Sequence, residues 1–113
     1  AFGVKIDVVN KHQYMDYEIY EFEVTNNSKN TIILSDIENT DAIYLEDKNN
    51  IKYYAYMHEL STADMRVFPG ETKNVTIKYY SKYSSSKKIT KFIFSEIALG
   101  GNEFASFEIE NNW

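Results

Sequence analysis

The sequence predicts an all-β protein, an antiparallel sandwich of seven or eight strands. Three observations carry that expectation. Apolar residues recur with period two rather than 3.6 along most of the chain. Clusters of Asn, Ser, Gly and Pro interrupt the alternation every ~8–12 residues, the spacing of sandwiches and barrels. Ten tyrosines and seven phenylalanines, with many isoleucines, supply side chains that suit a pleated, half-buried surface.

The elements follow in order. Val4, Ile6 and Val8 alternate with Lys5 and Asp7 in "VKIDVV". In "YEIYEFEVTN", Tyr20, Phe22 and Val24 share one face and Glu21 and Glu23 the other, and "TNNSKN" ends the strand. "TIILSDI" is a short strand with an apolar centre. "AIYLED" runs through the turn "KNN" into "IKYYAYMHEL", because Asn49 and Asn50 tolerate the positive φ that tight turns need. "HELSTADMR" is the one candidate for a helical turn, with Ser61 or Thr62 as its cap, and is too short to stand alone.

In "RVFPGETKNVTIKYY", Pro69 sets φ for a sharp reversal and Gly70 relaxes the next position. Val75, Ile77 and Tyr79 then alternate with Asn74, Thr76 and Lys78. "SKYSSSKK" is a polar loop. "ITKFIFSEIAL" is the longest apolar strand and is predicted to be central. "GGN" at 100–102 turns the chain into "EFASFEIE", where Phe104, Ser106 and Glu108 oppose Ala105, Phe107 and Ile109. Together these make one domain, 1–113, an immunoglobulin-like sandwich. It lacks the disulfide of antibody domains, since the chain has no cysteine, and their core tryptophan, since Trp113 ends it.

The totals bound the function. A chain of 113 residues forms a core without staples. Lack of cysteine excludes disulfides, thiolate zinc sites and cysteine nucleophiles. Seventeen acids against twelve bases, a net charge of -5, argue against nucleic acid and anionic membrane surfaces as partners. No apolar run approaches the ~20 residues of a spanning helix, so no membrane insertion is expected within this chain. The start Ala-Phe-Gly, without a methionine, reads as a processed or excised chain, from which a leader could have been removed. Heavy use of Asn, Lys and Ile points to a low-GC bacterial source.

Three segments, "FEVTNNSKNTI", "IYLEDKNNIKYYA" and "VFPGETKNVTIKY", occur in this order. In this they resemble the bacterial exported immunoglobulin-like domains typified by the immunoprotective extracellular antigen family. The resemblance spans residues 4 to 99. It implies an exported, non-enzymatic domain of a lipoprotein or cell-surface protein, extracellular or at the cell surface. It carries no catalytic residue over to this chain and names no ligand.

The residues with chemistry to offer are few. His12 and His58 lie on different elements and read as surface or half-buried histidines. Ser84, Ser85 and Ser86 lack the Gly-x-Ser-x-Gly elbow and read as a solvated loop. "SDIENTDAIYLED" gathers acids, and Asp36, Glu38 and Asp41 are the candidate ligands for a structural calcium, although their spacing is not that of an EF-hand. No other cofactor is expected. Asn26 and Asn74 match the glycosylation sequon and are read as coincidental in an Asn-rich chain.

Tyrosine is the remaining signal: Tyr54, Tyr56, Tyr79, Tyr80 and Tyr83 are the candidate binding residues. A strand of a sandwich buries one face, so some of these rings should be outside. The expected function is a non-catalytic module in protein contact, adhesion or domain presentation, with another protein or a cell-surface component as partner. Pairing of an edge strand with a partner strand is a further route. The alternative is a carbohydrate-binding module, which requires a coplanar row of exposed tyrosines beside an acidic rim. A loop-inserting inhibitor is a third class, with "HELSTADMR" or "SKYSSSKK" as the loop.

Overall fold

The computed structural model describes residues 2–34, 42–54, 58–60, 65–80 and 88–112. Ten strands lie within them: β1 (Val4–Gln13), β2 (Glu18–Asn26), β3 (Ile32–Ile33), β4 (Ile43–Asp47), β5 (Lys52–Tyr53), β6 (His58–Leu60), β7 (Arg66–Val67), β8 (Thr72–Tyr79), β9 (Ile89–Ala98) and β10 (Phe104–Glu110). Every pairing is antiparallel. One sheet has the order β1-β2-β8-β6, and the other joins β5, β4, β9, β3 and β7, with β10 on β9.

The second sheet is built on β9. Phe94 pairs with Ile43 and with Phe107, so β4 and β10 flank β9 on opposite edges. Ala98 pairs with Ile33 and Phe104, which sets β3 in line with β4 on the same edge. Counting β3 and β4 as one interrupted strand gives β1-β2-β8-β6 facing β5-β4-β9-β10. This is the A-B-E-D and C′-C-F-G order of an immunoglobulin-like sandwich. The predicted architecture holds, with β7 as a two-residue addition beside β3.

Alternation puts the core between the sheets. Tyr20, Phe22 and Val24 of β2 and Val75, Ile77 and Tyr79 of β8 meet Leu45 of β4 and Phe92, Phe94 and Ile97 of β9 in one buried cluster. The Phe22 ring lies edge-on to Phe92 at 4.9 Å and to Phe94 at 5.7 Å. Tyr20 meets Phe92 at 4.7 Å. This aromatic cluster joins the sheets in a chain that has no disulfide. β9 is central, as its apolar run predicts.

Two buried polar side chains fix the turns. Asn26 ends β2, and its Nδ2 donates to the carbonyls of Asn30 and Val67 while its Oδ1 accepts from the N–H and hydroxyl of Ser28. Asp47 ends β4, and its Oδ1 accepts from the N–H groups of Asn49 and Ile51 while its Oδ2 accepts from the Tyr53 hydroxyl at 2.9 Å. Asn50 takes φ 63° there, as the turn chemistry predicts. The Pro-Gly reversal is a type II turn: Glu71 N–H donates to the Phe68 carbonyl and Gly70 has φ 79°.

The structure corrects one local expectation. The segment Ile51–Leu60, read as one strand, divides between the sheets: Lys52–Tyr53 pairs with β4, whereas His58–Leu60, also offered as the start of a helical turn, pairs with β8 at Tyr79, Lys78 and Ile77. A free edge of β8 captured this segment, and tertiary pairing overrides weak local helix propensity. Residues 61–64 of that candidate turn lie outside the described residues, and its last residue, Arg66, opens β7.

Candidate functional site

The β1–β2 hairpin closes on Tyr14 and Tyr17, where the Tyr14 N–H donates to the Tyr17 carbonyl. The turn between two strands has no inner face, so its side chains point outward. Met15 is 96 % exposed and Tyr14 is half exposed. The Tyr14 and Tyr17 rings stack at 4.6 Å with 23° between their planes. The β2–β8 register, Glu18 opposite Tyr79, carries Tyr17 to a position opposite Tyr80. Those two rings sit 6.3 Å apart, tilted by 54°. Lys78, opposite Ile19 on the outer face of β8, holds its Nζ 4.4 Å from the Tyr17 ring and 5.0 Å from the Tyr80 ring. The cation between two π-faces fixes both rings. The outcome is a rigid aromatic tip carrying an exposed thioether.

A polar cluster supports this end from inside. After the bulge at Val9, Lys11 pairs with Tyr20 and turns inward. Lys11 Nζ lies 3.5 Å from Glu18 Oε1, with both side chains mostly buried. The Tyr20 hydroxyl donates to Glu18 Oε2 at 2.7 Å, and Asn111 Nδ2 donates to the Ile89 carbonyl at 2.8 Å. Burial first, and the Glu18 contact second, push the Tyr20 hydroxyl far above its ordinary value. A phenol held neutral this firmly serves as a structural donor.

The sequence-predicted tyrosines do not form one surface. Tyr79 is wholly buried and is excluded as a contact residue: it continues the inward series of Val75 and Ile77, and its ring packs against Tyr53 at 5.7 Å. Tyr80 is half-buried on the outer side of the β8 end. Tyr54 is half-buried beside the opposite sheet, tilted by 48° against Tyr44, with Lys52 Nζ 5.0 Å from the Tyr44 ring. Tyr56 and Tyr83 lie outside the described residues, as do the calcium candidates Asp36, Glu38 and Asp41. Among the described residues no three His, Asp or Glu side chains gather in a metal-holding group. His12 is exposed, 3.5 Å from Glu21 on the outer face.

Tyr14, Met15, Tyr17 and Lys78 were not singled out by sequence reasoning. One signal was present: "QYMDY" sets three large side chains in the reversal between two alternating strands, where no core can receive them. The asparagine of the first sequon, Asn26, has no exposed surface and its side chain is fully engaged, whereas Asn74 is exposed.

Comparison with known proteins adds little. No family model matches this chain, and no curated protein matches it. Among solved structures, a β-glucosidase from Kluyveromyces marxianus, in selenomethionine-labelled form, aligns with 97 % of this chain at 12 % identity and a TM-score of 0.41. The same enzyme in complex with glucose aligns at 12 % identity and a TM-score of 0.42. The chain spans 14 % of the length of those enzymes. A likeness at this level carries no argument about function.

Proposed function

We propose that this chain is a non-catalytic contact module of an exported or cell-surface bacterial protein. It engages another protein through the β1–β2 hairpin tip. The observation that carries this reading is the tip itself: Met15 stands 96 % exposed beside a Tyr14 ring that is already stacked and held. Rigid aromatic rings with an adaptable thioether lose little freedom on docking and bring large contact area, the character of interface anchors. Burial of one such side chain is worth about 1.5–3 kcal/mol.

Protein contact is preferred to sugar binding on geometry. A sugar platform offers a coplanar row of exposed rings, whereas Tyr14 and Tyr17 lie one on the other and Tyr44 and Tyr54 are tilted together. The test is retention of the purified chain on cells of its source. A Tyr14→Ser/Met15→Ser double variant should melt within about 2 °C of the parent, since neither side chain is in the core, and lose retention at least about tenfold. Unchanged retention would overturn the reading. Loss of binding to a soluble polysaccharide in the same variant would move it to the carbohydrate class.

A further inference from the structure

The sandwich leaves a seam where β1 and β10 run as outermost strands. Among the described strands β1 pairs with β2, and β10 with β9, so one side of each remains open. A cleft of about 550 Å³ follows this seam. Ile6, Val8 and Ile109 pack toward the core at its floor, and Asp7, Glu108 and Glu110 also line it.

The ladders show which backbone groups face the seam. In an antiparallel pair, residues that exchange hydrogen bonds alternate with residues whose N–H and C=O point to the other side. Leu99 N–H donates to the Glu103 carbonyl, and Asn111 N–H donates to the Thr90 carbonyl. Counting from either pair, Ala105, Phe107 and Ile109 bond to β9. Phe104, Ser106, Glu108 and Glu110 therefore turn their amides and carbonyls to the open side. The series is unbroken because the bulge lies on β9: between the pairs Ala105–Ile97 and Phe107–Phe94, β10 has one residue and β9 two. The β1 edge is less regular, since Val9 is an extra residue between the pairs Val8–Phe22 and Asn10–Glu21.

Charge selects the occupant. The cleft lining includes three carboxylates and no base. Asp7 is met by Lys5 at 3.4 Å on the β1 side. Glu108 and Glu110 are exposed on the outer face, with Ile93 and Lys91 opposite them in β9. A second copy of this chain on the same edge would set these acids against each other, and like charges across a strand pair destabilise it.

We propose that the open edge of β10 accepts an extended strand of a partner protein in which Lys or Arg alternates with Val, Ile or Leu. The partner's backbone pairs with Ser106, Glu108 and Glu110. Its apolar side chains cover Ile6, Val8 and Ile109, and its basic ones lie beside Glu108 and Glu110. This surface is separate from the hairpin tip, and neither proposal depends on the other.

The probe is a fluorescent ten-residue peptide alternating Lys and Val, compared with a Glu/Val peptide and with a Lys/Val peptide N-methylated at alternate amides. Anisotropy should show binding of the first only. Amide exchange should slow at Ser106, Glu108 and Glu110. Ser106→Pro removes a donor on the open side without touching the β9 ladder, a position where proline is tolerated. That variant and Glu108→Lys/Glu110→Lys should each weaken binding at least about tenfold with the fold intact by circular dichroism. If Ser106→Pro fails to fold, the charge variant and the N-methylated peptide decide. Equal binding by both variants, equal binding of the N-methylated peptide, no binding at millimolar peptide, or self-association of the chain through this edge would each overturn the proposal.

Discussion

Asn26 is wholly buried, and both ends of its amide are engaged by Ser28, Asn30 and Val67. It ties the end of β2 to β7 and to the turn that follows. Replacement by alanine strands several buried partners, and an unmet buried group costs about 1–3 kcal/mol. Asn26→Ala should therefore lose about 2–4 kcal/mol in urea unfolding. The same burial predicts that Asn26 stays unmodified if the chain passes through a glycosylating host. Tyr53 gives a pH signature. Burial first, and its bond to Asp47 second, push its hydroxyl up to about 12. The unfolded chain releases that proton near 10. The contribution is thus fully present below about pH 10 and is lost as pH rises toward 12, a decline of about 2–3 kcal/mol. Tyr20 acts in the same direction. Tyr53→Phe should flatten, without abolishing, the fall in urea midpoint between about pH 10 and 11.5.

At the scale of elements, the turn at Pro69-Gly70 sets the start of β8. A Cβ on Gly70 meets no atom within 4 Å, so the glycine answers to φ alone. Gly70→Ala should cost about 1 kcal/mol in thermal unfolding without altering the β2–β8 register. Elements with clean alternation were legible in the sequence. β2 and β8 bury the residues that period two assigns, β10 turns its assigned residues inward against the core, and β9 is central because its run is almost wholly apolar. The burial of Tyr79 was equally legible, from its place after Val75 and Ile77. β1 was harder: the bulge at Val9 inverts the phase, so its second half, up to Gln13, shows no apolar alternation by which to assign it. The end of "IKYYAYMHEL" reads as strand, but its transfer to the other sheet as β6 was hidden, because only pairing with the edge of β8 places those three residues there. The tip was partly hidden too. Tyr17 and Tyr80 are far apart in the chain, and only the β2–β8 register brings Lys78 between them.

At the scale of the whole molecule, aromatic contacts join the two sheets, with Phe92 at their centre. Phe92 touches Tyr20 and Phe22 from the opposite sheet. Phe92→Ala should cost about 3–5 kcal/mol, a large part of the stability of a domain this size, and should be read as loss of the cooperative melting transition at growth temperature. The sandwich thus holds its tip and its open edge on a rigid frame, at separate places. The most direct measurement is photo-crosslinking of the full-length protein in its own cells. A photoreactive phenylalanine analogue would replace Met15 in one variant and Asn74, on the exposed face of β8, in the other. A contact module working through the hairpin tip gives a discrete adduct from position 15 and none from position 74. No adduct from position 15, or equal adducts from both, would contradict it.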